Sequence, residues 1–100
     1  MLVIVWEYMA RADRLEEFET MYRADGPWVE LFKRSPGFLS TTLMRDTRDN
    51  HRFVVADRWT SEAAYEAFKL EFADDYKNLS ERGERLHRAE HLIGRFHFVE

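Results

Sequence analysis

A chain of 100 residues, 45% hydrophobic and 34% charged, has the length of a single domain over residues 1–100 and can bury roughly two-thirds of its unfolded surface. Fifteen basic against nineteen acidic residues, interspersed and summing to −4, exclude the basic face that nucleic acid requires, and the absence of Cys excludes disulfides, thiolate metal sites and thiol nucleophiles. The opening run Met1-Leu2-Val3-Ile4-Val5-Trp6-Glu7 is too short and unflanked for a signal peptide, and no stretch has membrane-spanning length, so a soluble cytoplasmic protein without a membrane partner is expected.

Residues 2 to 9 begin with β-branched apolar residues and predict a strand. Leu2, Ile4, Trp6 and Tyr8 alternate onto one face, and Val3, Val5 and Met9 onto the other, with Glu7 the exception. A strand apolar on both sides needs cover on both sides. From Asp13 the period becomes helical, with Leu15, Phe18 and Tyr22 on one stripe. Gly26-Pro27 stops that helix and opens another carrying Trp28, Leu31 and Phe32, and Ser35-Pro36-Gly37 turns the chain. Residues 38 to 45 and 52 to 59 form two strands of a hairpin across the polar stretch Asp46 to Asn50. Thr60 or Ser61 caps a further helix, whose stripe is Tyr65, Phe68, Phe72, Tyr76 and Leu79. Gly83 is expected to break or kink it, Leu86 to Glu90 to form another turn, and Leu92 to Val99 to close the chain as a strand.

Strand, helix, strand, strand, helix, strand is the α+β, ferredoxin-like βαββαβ order, with both helices on one face of a four-stranded antiparallel sheet. Two helices cover one face only. The other, if bare, is a hydrophobic patch that monomers rarely tolerate, so a homodimer packed sheet to sheet is expected.

Several stretches are similar to the antibiotic biosynthesis monooxygenase family. They are Trp6-Glu7-Tyr8, Phe18 to Phe32 with its Gly-Pro-Trp break, Pro36-Gly37-Phe38, and Asp57-Arg58-Trp59-Thr60-Ser61 leading into Ala64-Tyr65 and Phe68, then Glu90 to Phe96 with Gly94. The resemblance spans almost the whole chain in element order. It implies a dimeric α+β barrel with a pocket between helices and sheet in each subunit. It also implies a monooxygenase that oxidises a small aromatic or quinone-like molecule with no cofactor. The alternative is a non-catalytic dimeric small-molecule-binding or stress-related module on the same fold. Haem-degrading members carry an Asn on the first strand, and a Trp in the second long helix followed ten residues later by a haem-ligating His. Here the first strand lacks Asn, and Tyr65 and Phe68 are followed at that spacing by Asp75 and Asn78.

Oxygenation without a cofactor needs an apolar cavity, a base, and a donor or cation for the substrate anion. Trp28, Trp59, Tyr65, Phe68, Phe72 and Tyr76 supply rings for such a substrate-binding wall, or else fill the core. His97 and Arg95 share one face of the last strand as candidate catalytic base and counter-charge. Their structural alternatives are an ion pair of Arg95 with a carboxylate such as Glu7, and a backbone partner for His97. Glu7 and Asp57, charged within apolar strands, carry the same two readings. His87-Arg88-Ala89-Glu90-His91 matches a zinc-peptidase pattern that needs a continuous helix and a downstream carboxylate. With the last strand beginning near His91 no metal site is expected. No Gly-rich phosphate loop and no G-x-S-x-G is present.

Overall fold

The computed structural model describes residues 1–99. Nine elements follow in order: β1 (Leu2–Ala10), a 3₁₀ turn (Ala12–Arg14), α1 (Leu15–Tyr22), α2 (Pro27–Phe32), β2 (Phe38–Arg45), β3 (Arg52–Trp59), α3 (Glu62–Glu71), α4 (Ala73–Glu84) and β4 (His87–His97). The strands form one antiparallel sheet in the order β2-β3-β1-β4, the ferredoxin-like α+β arrangement expected.

The elements begin and end where local chemistry dictates. Gly26 caps α2 and Pro27 opens it, because a first helical turn does not need the missing N–H. Ser61, and not Thr60, caps α3: its Oγ accepts the Ala64 N–H at 3.0 Å. In the hairpin between β2 and β3, the Asp46 and Asp49 carboxylates accept from the N–H groups of Arg48 (2.8 Å) and His51 (2.9 Å).

Two boundaries differ from the sequence-based expectation. Gly83 does not break its helix, since α4 runs through it to Glu84. The glycine is there because a methyl at that position would run into the Tyr22 hydroxyl. The bend falls instead at Phe72 (φ −111°, ψ 32°), with no Gly or Pro to mark it. The last strand starts at His87 and not Leu92, because Ala10, Met9 and Tyr8 pair with His87, Ala89 and Glu90.

Strand pairing sorts the faces. Leu2, Ile4, Phe53 and Trp59, all at most 1% exposed, meet Phe18 and Phe68 under the helices. Burying side chains of this size contributes about 1.5–3 kcal/mol each. On the opposite face Val3, Val5, Met9 and Val54 are half-buried, and Met44 and Phe96 are 44% and 48% exposed. Glu7 lies among them. Its partner is Arg52, whose Nε and second terminal nitrogen lie 2.7 and 2.6 Å from Glu7 Oε2 and whose Nη1 donates to Asp46 at 3.1 Å. The expected Glu7–Arg95 pair does not form, because the two residues face opposite sides of the sheet. No helix among the described residues is long and apolar enough to cross a membrane.

Candidate functional site

Between the sheet and the helices lies a cavity of about 50 Å³. Trp6 and Tyr8 of β1, Thr41 of β2, Val55 and Asp57 of β3 and Glu90 of β4 form its floor. Tyr22 of α1, Trp28 and Phe32 of α2, Tyr65 of α3, and Tyr76 and Ser80 of α4 form its roof. Trp6, Tyr76 and Ser80 are half-buried and Glu90 is exposed, so the mouth opens between α4 and the β1–β4 side of the sheet. Tyr8, Tyr22, Trp28 and Tyr65 lie deeper, at 9% exposure or less.

Asp57 is the unusual member. Alternation along β3 turns it inward with Phe53, Val55 and Trp59, and it is 7% exposed. Among the described residues its one side-chain hydrogen bond is from the Thr41 hydroxyl, at 2.6 Å across the β2–β3 ladder. With no cation to offset its burial, the carboxyl is pushed up from 3.8 to about 6, the Thr41 hydrogen bond holding back part of the rise. A carboxylate so placed is a base near neutral pH.

The other polar groups of the cavity are donors. Burial pushes the Tyr8, Tyr22, Tyr65 and Tyr76 phenols up, so all four stay protonated. The hydroxyls of Tyr65 and Tyr76 lie beside each other, and each influences the other's proton. The Trp28 indole N–H, deep in the wall, is shielded from solvent beside the Tyr22 hydroxyl. Glu90 is raised chiefly by burial, with a hydrogen bond from Tyr8 pulling the other way.

Of the residues singled out from sequence, Trp28, Asp57, Tyr65 and Tyr76 line this cavity. Trp59 and Phe68, 0% and 1% exposed, pack with tilted rings 5.1 Å apart within the core. Phe72 packs on Phe68 at 5.5 Å, with the Arg34 guanidinium 6.0 Å from its ring. Arg95 lies outside the lining. Its Nη1 donates to Glu66 at 3.0 Å and its guanidinium sits 5.1 Å from the Tyr65 ring. The His97 side chain is 64% exposed, with Nε2 3.6 Å from Glu62 Oε1. Sequence reasoning passed over Tyr8, Tyr22, Thr41 and Glu90. The available signal was a hydroxyl on Tyr8 and Tyr22, in core stripes where Phe would pack as well and need no partner.

Among the described residues no three His, Asp or Glu side chains gather as a metal site. The His87 to His91 pattern lies on a strand, where pairing with Ala10 and Glu7 puts its two imidazoles on opposite faces. They cannot share one ion. His87 itself is buried against Tyr8 at 5.0 Å, its pKa lowered mainly by that burial.

A sequence profile described as antibiotic biosynthesis monooxygenase matches residues 1–70. Nothing among curated proteins matches the chain significantly. Solved structures are similar in fold. A variant of SnoaB, a cofactor-independent oxygenase from Streptomyces nogalater, superposes with a TM-score of 0.79 at 19% identity, covering 99% of this chain and 93% of its own. The Pseudomonas aeruginosa protein PA3566 gives 0.71 at 19% identity, over 99% and 94%. A structure described as antibiotic biosynthesis monooxygenase gives 0.72 at 16% identity, over the full length of both chains.

Proposed function

From the premise that the chain belongs to the antibiotic biosynthesis monooxygenase family, we propose that it oxidises a small hydroxylated aromatic or quinone-like molecule with O₂, using no metal or flavin, and that Asp57 is the base. One observation carries this reading: a buried carboxyl, pushed up to about 6 and held only by Thr41, opens onto a cavity otherwise walled by aromatic rings. Nothing about core packing requires an acid there, and burying it costs stability.

The chemistry balances on the substrate alone. Asp57 removes a proton from a carbon made acidic by the adjacent phenol and carbonyl. The enolate passes one electron to O₂, and the resulting radical and superoxide join in a new C–O bond. The peroxide takes up a proton, a second C–H proton is lost, and the O–O bond breaks to release water and leave a carbonyl. One oxygen atom enters the product and the other leaves as water, so the substrate's CH₂ supplies all four electrons. The phenols of Tyr22, Tyr65 and Tyr76 are the donors available to the developing oxyanion. Arg95 and His97 flank this site without lining it, and in this reading Arg95 ties the rim of β4 to α3 through Glu66 while His97 stays mostly in water near Glu62.

The size of the cavity adds a requirement. A benzene ring occupies an apolar cavity of about 150 Å³, three times the space present, so entry displaces the half-buried Trp6 and Tyr76 at the mouth. That tight fit is also what favours the second reading, a binding module that sequesters a small molecule without turning it over. The apolar side of the sheet, Val3, Val5, Val54 and Phe96, we assign to a second copy packed face to face. Light scattering should then return twice the 12.1 kDa chain mass.

The test of function is oxygen uptake by purified, chelator-treated protein across a panel of anthrones, with hydroxynaphthoquinones, which lack the ring CH₂, as probes of binding. Uptake above the protein-free rate that disappears in Asp57→Asn is expected. Rates equal to the protein-free control throughout, alongside saturable binding, would favour the binding module.

A further inference from the structure

Resting on the reading of the cavity as a ligand site, we propose that it selects by charge: it takes an uncharged aromatic bearing both a hydroxyl and a carbonyl, and turns away carboxylates and other anions of the same shape. Three observations carry this. First, the cavity holds two carboxyls, Asp57 on β3 and Glu90 on β4, one on either side of β1. Both oppose ionisation of Tyr8 and Tyr76 between them, so their fields overlap within the space a ligand fills.

Second, among the described residues no Lys, Arg or His lines the cavity. Arg95 is bound to Glu66 and lies against the Tyr65 ring, and His87, whose Nε2 is 3.5 Å from Glu90 Oε2, is pushed toward its neutral form by burial. An entering anion therefore exchanges water for two like charges and finds no counter-ion, an arrangement that costs rather than contributes affinity.

Third, the polar groups ask for a particular neutral partner. Asp57 has accepting capacity left beyond its single bond from Thr41, which a ligand hydroxyl can use. The protonated phenols of Tyr22, Tyr65 and Tyr76, which line the cavity, can donate to an acceptor such as a carbonyl. A molecule with one of each satisfies both. A carboxylate of the same shape keeps the hydroxyl but brings a charge that both acids repel.

The test is equilibrium dialysis at neutral pH with two probes of one shape: an acetylnaphthol and the hydroxynaphthoate of the same substitution, in which an anionic oxygen replaces the methyl. Any cost of opening the cavity is common to both and cancels. The ketone should bind at least about tenfold more tightly, the low end of what like-charge juxtaposition costs. Asp57→Asn and Glu90→Gln should each narrow that ratio. Glu90 stands at the mouth, so Glu90→Gln supplies the result should the buried substitution disturb folding. Equal or tighter binding of the carboxylate would overturn charge selection and leave the oxygenase reading standing. The expected preference without any oxygen uptake would do the reverse. Binding of neither probe would overturn both.

Discussion

Glu7 and Asp57 are the same kind of residue in the same kind of place, an acid inside an apolar strand, and the sheet treats them in opposite ways. Glu7 points to the open face and meets Arg52, which also holds Asp46, so its charge is answered within hydrogen-bond reach. Asp57, on the neighbouring strand, points under the helices, where the only answer is one hydroxyl. The strands are alike, and direction decides the chemistry. Facing out, a carboxylate organises a surface; facing in, it keeps an unmet demand for a proton or a donor.

The largest expected effect falls on the inward acid. Asp57→Asn removes the base and should reduce oxygen uptake by about 10²- to 10⁴-fold, the usual contribution of a positioned proton acceptor. Glu7→Gln should leave the rate near wild type, and a comparable loss in both variants would erase the distinction between the two sites.

Stability should move the other way. The folded protein holds the Asp57 proton up to about pH 6, whereas the unfolded chain releases it near 3.8. Between those values the native state binds more protons, so stability falls as pH rises through the window and stays low above it. A shift of that size corresponds to about 3 kcal/mol. Asp57→Asn, which keeps an acceptor for Thr41, should therefore be more stable than wild type above pH 6 by an amount of that order. Denaturant melts across the window should show the wild-type slope flattened in the variant.

A smaller effect is expected from Thr41→Val, which removes the one bond favouring the ionised form. The acid limb of the activity profile should shift to higher pH, with a loss of about 1.5–3 kcal/mol of carboxylate stabilisation, the usual worth of a hydrogen bond to a charge. Glu7→Gln breaks a half-exposed ion pair and should cost no more than about 1 kcal/mol in thermal melts. Smallest of all, His97→Ala touches a side chain that is mostly in water, and neither stability nor uptake should change measurably.

The fold was largely legible because it rests on periodicity. Alternation in Leu2 to Met9 and the stripe Leu15, Phe18, Tyr22 sort themselves onto the faces they occupy. Misplaced boundaries have local causes. Gly83 reads as a breaker until Tyr22, sixty-one positions earlier, is seen to need the space. The bend at Phe72 has no signature residue, since the packing of Phe68 and Tyr76 against the sheet sets it. His87 and Glu90 look like a polar turn because β4 runs along an edge, where Glu90 reaches the cavity mouth and His87 is buried beside Tyr8. The site was legible in part. Asp57 stands out in its strand, as does Glu7, but sequence cannot say which way each meets a partner. Arg95 and His97 share a face as expected, yet that face meets Glu66 and Glu62 of α3 at its rim and not the cavity.

Everything chemical in this account follows from the state of one carboxyl. Following the Asp57 side-chain carboxyl carbon by NMR through a pH titration, with Asp57→Asn to assign it, measures that state directly. A midpoint near 6 is what burial with Thr41 as sole partner predicts. A midpoint at or below 3.8 would mean that water or an unseen cation already answers the charge, and would contradict its role as base.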